Sequence, residues 1–227
     1  MYREKPSRIP GGVLWHRDAE PSPAVARILP DGCMDLIWTG SALVLAGPDS
    51  VAHLTETPSG TGYAAIRFAP GTGPAVAGLP AAEVRDQRVP IGAIWSPADA
   101  RAATGALAEA TDPGPVLERI AAVRLAASPA DPAAPVIAGL AGRGFTVTQI
   151  ARRIGIGERH LHRRSLAAFG YGPKTLGRIL RFGRAMALAR TGRPLALTAA
   201  GTGYADQAHL AREARALAGV PMSELLR

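Results

Sequence analysis

The residues best suited to chemistry lie in the last 92 positions of this 227-residue chain. Residues 158–164 read Glu-Arg-His-Leu-His-Arg-Arg. Wound into a helix, this run turns Arg159, His160, His162, Arg163 and Arg164 outward around an inward Leu161. So many donors on one face repel each other unless anions lie opposite, and phosphate oxygens and base edges are fitting partners. A second helical run turns Gln207, Ala208, Ala211, Arg212 and Arg215 outward and Leu210, Ala214 and Leu217 inward. Between the two, Lys174, Arg178, Arg181 and Arg184 fall on one arc of a third helix. His160 and His162 make no metal pair, because an i, i+2 spacing on a helix points the rings apart.

Catalytic chemistry finds less support. Cys33 is the single cysteine, which excludes an intramolecular disulfide and any multi-cysteine zinc site. It follows a turn and precedes an apolar alternating run, so it reads as a packed thiol at a strand end. Asp31, Asp35 and Asp49 stand at turn-like positions that suit capping and Asx turns. The spacing of His16, His53 and Asp35 supports no metal site. There is no Gly-rich phosphate loop, no HExxH and no local signature of a Ser-His-Asp triad. The chain is expected not to be an enzyme, with no catalytic residue, no metal and no cofactor.

Charge sets the two halves apart. The net charge is +8, yet residues 1–135 carry 11 basic and 14 acidic side chains, and residues 136–227 carry 15 and 4. A basic region joined to a slightly acidic one suggests a nucleic-acid module attached to something else. Proline divides in the same way, with 17 of 20 before position 136, so the first half should be strands and turns and the second can be helical. The bias of 24 Arg over 2 Lys fits a GC-rich coding background. No apolar run approaches the length of a bilayer span, and Met1-Tyr2-Arg3-Glu4-Lys5-Pro6 leads into no apolar signal core. A cytoplasmic protein without membrane contact is expected.

These readings predict a two-domain α+β protein. Residues 1–125 form a β-rich, barrel-like effector or dimerisation domain, 126–135 a Pro/Ala linker, and 136–227 an all-α domain of two helix-turn-helix units. In the first unit, Ile150, Ala151 and Ile154 make the apolar stripe, Gly155 opens the turn, and the next helix starts near Glu158 with Leu161 inward. The second unit runs from Leu195 to Leu217, turning at Gly203-Tyr204, with Asp206 as N-cap or first-turn acid. A helix from Pro173 to Arg190 joins them, its buried stripe Leu176, Ile179, Leu180, Gly183, Met186 and Ala187. It would set the two recognition helices into successive major grooves, one turn (~34 Å) apart. In the first half, strands are expected at Ala24–Leu29, Met34–Trp38, Ala42–Ala46 and Tyr63–Phe68. Helices are expected at Ala98–Glu109 and Val116–Ala126, the latter with Val116, Leu117, Ile120 and Val123 on one face that packs on the β-domain or on a second subunit.

The runs Gly170-Tyr171-Gly172-Pro173-Lys174-Thr175-Leu176 and Gly203-Tyr204-Ala205-Asp206-Gln207-Ala208-His209-Leu210-Ala211-Arg212-Glu213 resemble the AraC-type (AraC/XylS) DNA-binding domain. The first half is similar to the effector-like domain that accompanies this module in a group of regulators, through residues 27–38, Gly47-Pro48-Asp49 and residues 66–71. The resemblance implies a sequence-specific transcriptional regulator, one-component and responsive to a ligand or partner. It implies base reading by Arg159, His162 and Arg163 in the first unit and by Gln207, Ala208 and Arg212 in the second. Lys174, Arg178, Arg181 and Arg215 better suit phosphates. Double-stranded DNA is the expected partner, with a small-molecule effector, a homodimer and RNA polymerase as further candidates; the ligand-binding residues are unknown. The alternative is a DNA-binding protein whose first half is an enzyme or a ligand-free assembly module.

The sequence departs from the family pattern at a few core positions. Ser165 and Ala214 replace the aromatics that usually close each unit, Thr198 replaces a branched aliphatic, and Gly201-Thr202 weakens the helix that precedes the second turn. The second unit is therefore expected to be the softer of the two.

Overall fold

The computed structural model describes residues 1–227. The first half contains eight strands: β1 (Tyr2–Pro6), β2 (Val13–Arg17), β3 (Ala24–Ile28), β4 (Met34–Trp38), β5 (Leu43–Ala46), β6 (His53–Thr57), β7 (Tyr63–Phe68) and β8 (Arg88–Pro90). Six of them form an antiparallel sheet in the order β1-β2-β7-β4-β5-β8. The other two, β3 and β6, pair as a separate ribbon. The expected barrel-like domain is an open sheet with a ribbon over it, a barrel only loosely, since the sheet does not close. Its edges are β1, exposed throughout, and the three-residue β8, which ends on Pro90, so neither edge is built to pair with the other.

The four strands expected from the sequence are present, and β1, β2, β6 and β8 are additional. The apolar/polar alternation that reveals a half-buried strand is absent from Tyr-Arg-Glu-Lys-Pro and His-Leu-Thr-Glu-Thr, which lie at an edge and in the ribbon. One face of the large sheet carries Leu14, Met34, Leu36, Leu45, Ile66 and Phe68, all buried. These residues join one core with α1 (Gly73–Ala77), α2 (Pro97–Ala108) and α3 (Pro113–Ala127). On α3, Val116, Leu117 and Ala121 are buried but Val123 is 65% exposed. The buried stripe turns instead toward Glu118, whose carboxylate accepts from the Ser7 hydroxyl and the Arg8 amide.

The second half is helical: α4 (Ala134–Gly142), α5 (Val147–Ile154), α6 (Glu158–Phe169), α7 (Pro173–Arg190), α8 (Leu195–Thr202), α9 (Gln207–Ala218) and α10 (Met222–Leu225). One apolar cluster runs through all of them. The buried stripe of α7 is Leu176, Ile179, Phe182, Ala185, Met186 and Ala189, while Gly183 and Ala187 are exposed. Phe182 has the largest side chain available on the contested arc, and burying it rotates the stripe away from the expected positions. Fully buried Phe169 and Phe182 supply aromatic volume to the cluster that holds Ala214. Thr198 and Thr202 stay buried because their hydroxyls donate to the carbonyls of Arg193 and Thr198, the latter at 2.6 Å.

The two halves touch directly. A Cβ on Gly71, whose φ is +91°, would stand 2.5 Å from the Cβ of Ala134 and 3.1 Å from the Phe169 ring. Arg85 donates to the carbonyl of Gly170 at the end of α6 (3.2 Å). In the connecting segment, Asp131 forms a two-point ion pair with Arg164 of α6.

Candidate nucleic-acid interface

The first unit is built by local signals. Thr146 and Gln149 close a reciprocal capping box at the start of α5. Gly155 ends it with φ +72°, the left-handed backbone that starts the turn. Ile150, Ala151 and Leu161 are buried, and the small Ala151 lets α5 and α6 approach. On α6 this leaves Arg159, His160, His162 and Arg163 exposed. Arg159, His162 and Arg163 have no hydrogen-bond or ion-pair partner within the chain. Arg164, on the same helix, is turned back: its hydrogen bonds to Asp131 hold that carboxyl below its usual range and raise the guanidinium.

The second unit repeats the plan with the caps exchanged: α8 starts at Pro194 without a side-chain cap, and α9 has one where α6 does not. Gly203 turns the chain with φ +81°, and Asp206 caps α9 by accepting from the His209 amide at 2.6 Å. Gln207, Ala208, Arg212 and Arg215 are exposed, while Leu210, Ala214 and Leu217 are buried.

The four expected phosphate ligands divide into two pairs. Lys174 and Arg215 are exposed. Arg178 donates to both oxygens of Glu213 at 3.0 Å, and Arg181 lies 3.7 Å from the same carboxylate. Arg181 also stacks 4.4 Å from the ring centre of Tyr204, whose hydroxyl burial pushes upward in pKa. Glu213 is buried and joins α9 to α7. Sequence reasoning missed it, although an acid three residues after Leu210 and one before Ala214 sits on an apolar stripe, where only a cationic partner makes it tolerable. Also missed were Asp131, which pairs with Arg164, and Arg27 and Ala52, which donate to the carbonyls of Ala218 and Leu217; each acts across a long sequence separation with no local pattern.

Burial, with Asp31 and Asp35 nearby, pushes the Cys33 thiol well above its ordinary value. Asp31 accepts from the Cys33 amide in an Asx turn.

Residues 150–227 match the family model of a helix-turn-helix domain. The chain's last third is a helix-turn-helix domain. Residues 13–90 match a domain of unknown function, DUF6597. An apo variant of ToxT from Vibrio cholerae aligns over 99% of this chain and 98% of its own, at 11% identity and a TM-score of 0.51. A second ToxT structure from Vibrio cholerae aligns over 99% and 97%, at 12% identity and 0.50. These are likenesses of fold. A probable AraC family transcriptional regulator from Rhodopseudomonas palustris covers 40% of this chain and 88% of its own, at 24% identity and a TM-score of 0.35. In sequence, no curated protein matches the chain. No helix of the chain is long and apolar enough to cross a membrane.

Proposed function

We propose that this chain is a one-component regulator of the cytoplasm whose α6 and α9 read double-stranded DNA under the control of a ligand or partner of the first half. The observation that carries the reading is the exposed, unpaired set Arg159, His162 and Arg163 on α6, beside an Arg164 that is held by Asp131. Arg159 and Arg163 suit the O6 and N7 acceptors of guanine, and Gln207 suits adenine. His162, Ala208 and Arg212 complete the two reading faces. Lys174 and Arg215 contact phosphates and set the register. Arg178 and Arg181, engaged by Glu213, fix the angle between α7 and α9. A small-molecule effector acts by binding two arrangements of the halves unequally. A second copy of the chain and RNA polymerase are further partners of this reading, and catalysis has no part in it.

Selection of bound sequences from a random duplex pool tests it. Enrichment of a site with a steep salt dependence is the expected result. A pool that remains random in the presence and absence of effector candidates refutes DNA reading by these helices.

A further inference from the structure

The large sheet has a second face that the apolar core does not cover. Strand register puts Trp15, Arg17, Asp35, Ile37, Tyr63 and Arg67 on it together. The β3–β6 ribbon lies over this face and contributes Ala26, Ile28, Thr55 and Thr57. Between the two is a cavity of about 310 Å³. Its walls are mostly apolar and aromatic, and its shape is the slot left between two stacked sheets.

The cations around the slot are not equivalent. Arg67 lies 3.5 Å from Asp35 and 3.6 Å from Asp31. Arg88 holds Asp49 at 2.6 Å. Arg17 has only a 3.3 Å hydrogen bond to the Thr57 hydroxyl, which leaves it the one cation on the slot without a carboxylate.

The ribbon has a second attachment. Alternation along β3 places Arg27 on the side opposite Ala26 and Ile28. Its guanidinium donates to the carbonyl of Ala218 at 2.8 Å. The amide of Ala52, just before β6, donates to the carbonyl of Leu217 at 2.6 Å. Both carbonyls belong to the last turn of α9, which its own helix cannot satisfy. One ribbon therefore roofs the slot and caps the second recognition helix.

We propose that this slot is the effector site, that it takes a flat, mostly apolar molecule with one anionic group facing Arg17, and that the ribbon carries its occupancy to α9 through Arg27 and Ala52. The proposal rests on the ligand-responsive reading above and names its site, ligand class and route. Occupancy adds contacts on the inner side of the ribbon and so steadies the cap on its outer side.

The test uses the full chain with two fluorescent probes, 8-anilinonaphthalene-1-sulfonate and its neutral counterpart N-phenyl-1-naphthylamine. Both should brighten on binding, and Ala26→Trp, which fills the slot, should abolish both signals. Arg17→Leu should weaken the sulfonate about tenfold, the loss expected for one charge-assisted contact, and leave the neutral probe unchanged. Amide hydrogen exchange should slow on sulfonate binding in β3, β6 and the last turn of α9. Arg27→Ala should keep the slowing in the ribbon and diminish it in α9, and adding Ala52→Pro should remove it there. Undiminished sulfonate binding in Ala26→Trp overturns the site. Equal effects of Arg17→Leu on both probes overturn the anion preference. Slowing confined to the ribbon in the unaltered chain overturns the route. A chain that passes all three but selects no duplex leaves this proposal standing and refutes the DNA reading alone.

Discussion

The two halves of the molecule treat charge in opposite ways. In the first half, two ion pairs are drawn inward: Asp35 with Arg67 on the sheet face beneath the ribbon, and Arg88 with Asp49 of the loop after β5. In the second half, charge is displayed: α6 leaves Arg159 and Arg163 in solvent, and a single acid, Glu213, is drawn inside. Burying a charge requires a partner in place, whereas displaying one requires only a helix to carry it. The helical half therefore offers charge to something outside the chain, and the sheet half holds two ion pairs in place beside whatever enters the slot.

The largest effect expected from this contrast concerns Asp35. Burial pushes its carboxyl up to about 6 against an ordinary 3.8, with the neighbouring Arg67 opposing. Between those values the folded chain holds a proton that the unfolded chain releases, so stability falls as pH rises from about 4 to about 6. The full change is at most about 3 kcal/mol. Denaturant midpoints measured across that window should show the fall, and Asp35→Asn should flatten it. An unchanged slope in Asp35→Asn would mean that the inward charge lies elsewhere.

Displayed charge should act on DNA rather than on the fold. Arg163→Ala should weaken binding to a selected site by about 1–3 kcal/mol and leave the thermal midpoint unchanged. A fall in thermal stability of the same size would make Arg163 a structural residue and break the contrast.

Glu213 tests the exception. Glu213→Gln should destabilise the helical half by about 1–2 kcal/mol, because Arg178 and Arg181 lose a charge-assisted partner but can turn toward solvent. Unchanged stability would mean that the buried ion pair contributes nothing net, an outcome known for such pairs.

The smallest effect separates the expected phosphate ligands. Lys174→Ala should reduce the salt slope of DNA binding by about one, and Arg178→Ala should leave it unchanged while lowering stability. Equal slopes lost in both variants would return Arg178 to the phosphate backbone.

The same contrast explains what could be read from the sequence. The turns at Gly155 and Gly203, the cap at Asp206 and the outward face of α6 are local, so spacing alone locates them. The α7 stripe was legible in its length but not in its rotation, because Phe182 takes its place through contacts with several helices. The ribbon was half legible: β3 carries alternating apolar residues, but β6 reads as polar coil until its partner is known. The slot was not legible at all. Its members come from strands paired across up to about fifty positions, and the pairing of Asp35 with Arg67 leaves no trace in either neighbourhood.

The central claim is that α6 and α9 each read their own part of one site. Duplex selection with the unaltered chain, Arg163→Ala and Arg212→Ala tests it most directly. The account predicts two short motifs about one helical turn apart, with Arg163→Ala erasing one base preference in the first and Arg212→Ala one in the second. Motifs that are identical in all three proteins, or that collapse together in either variant, would contradict it.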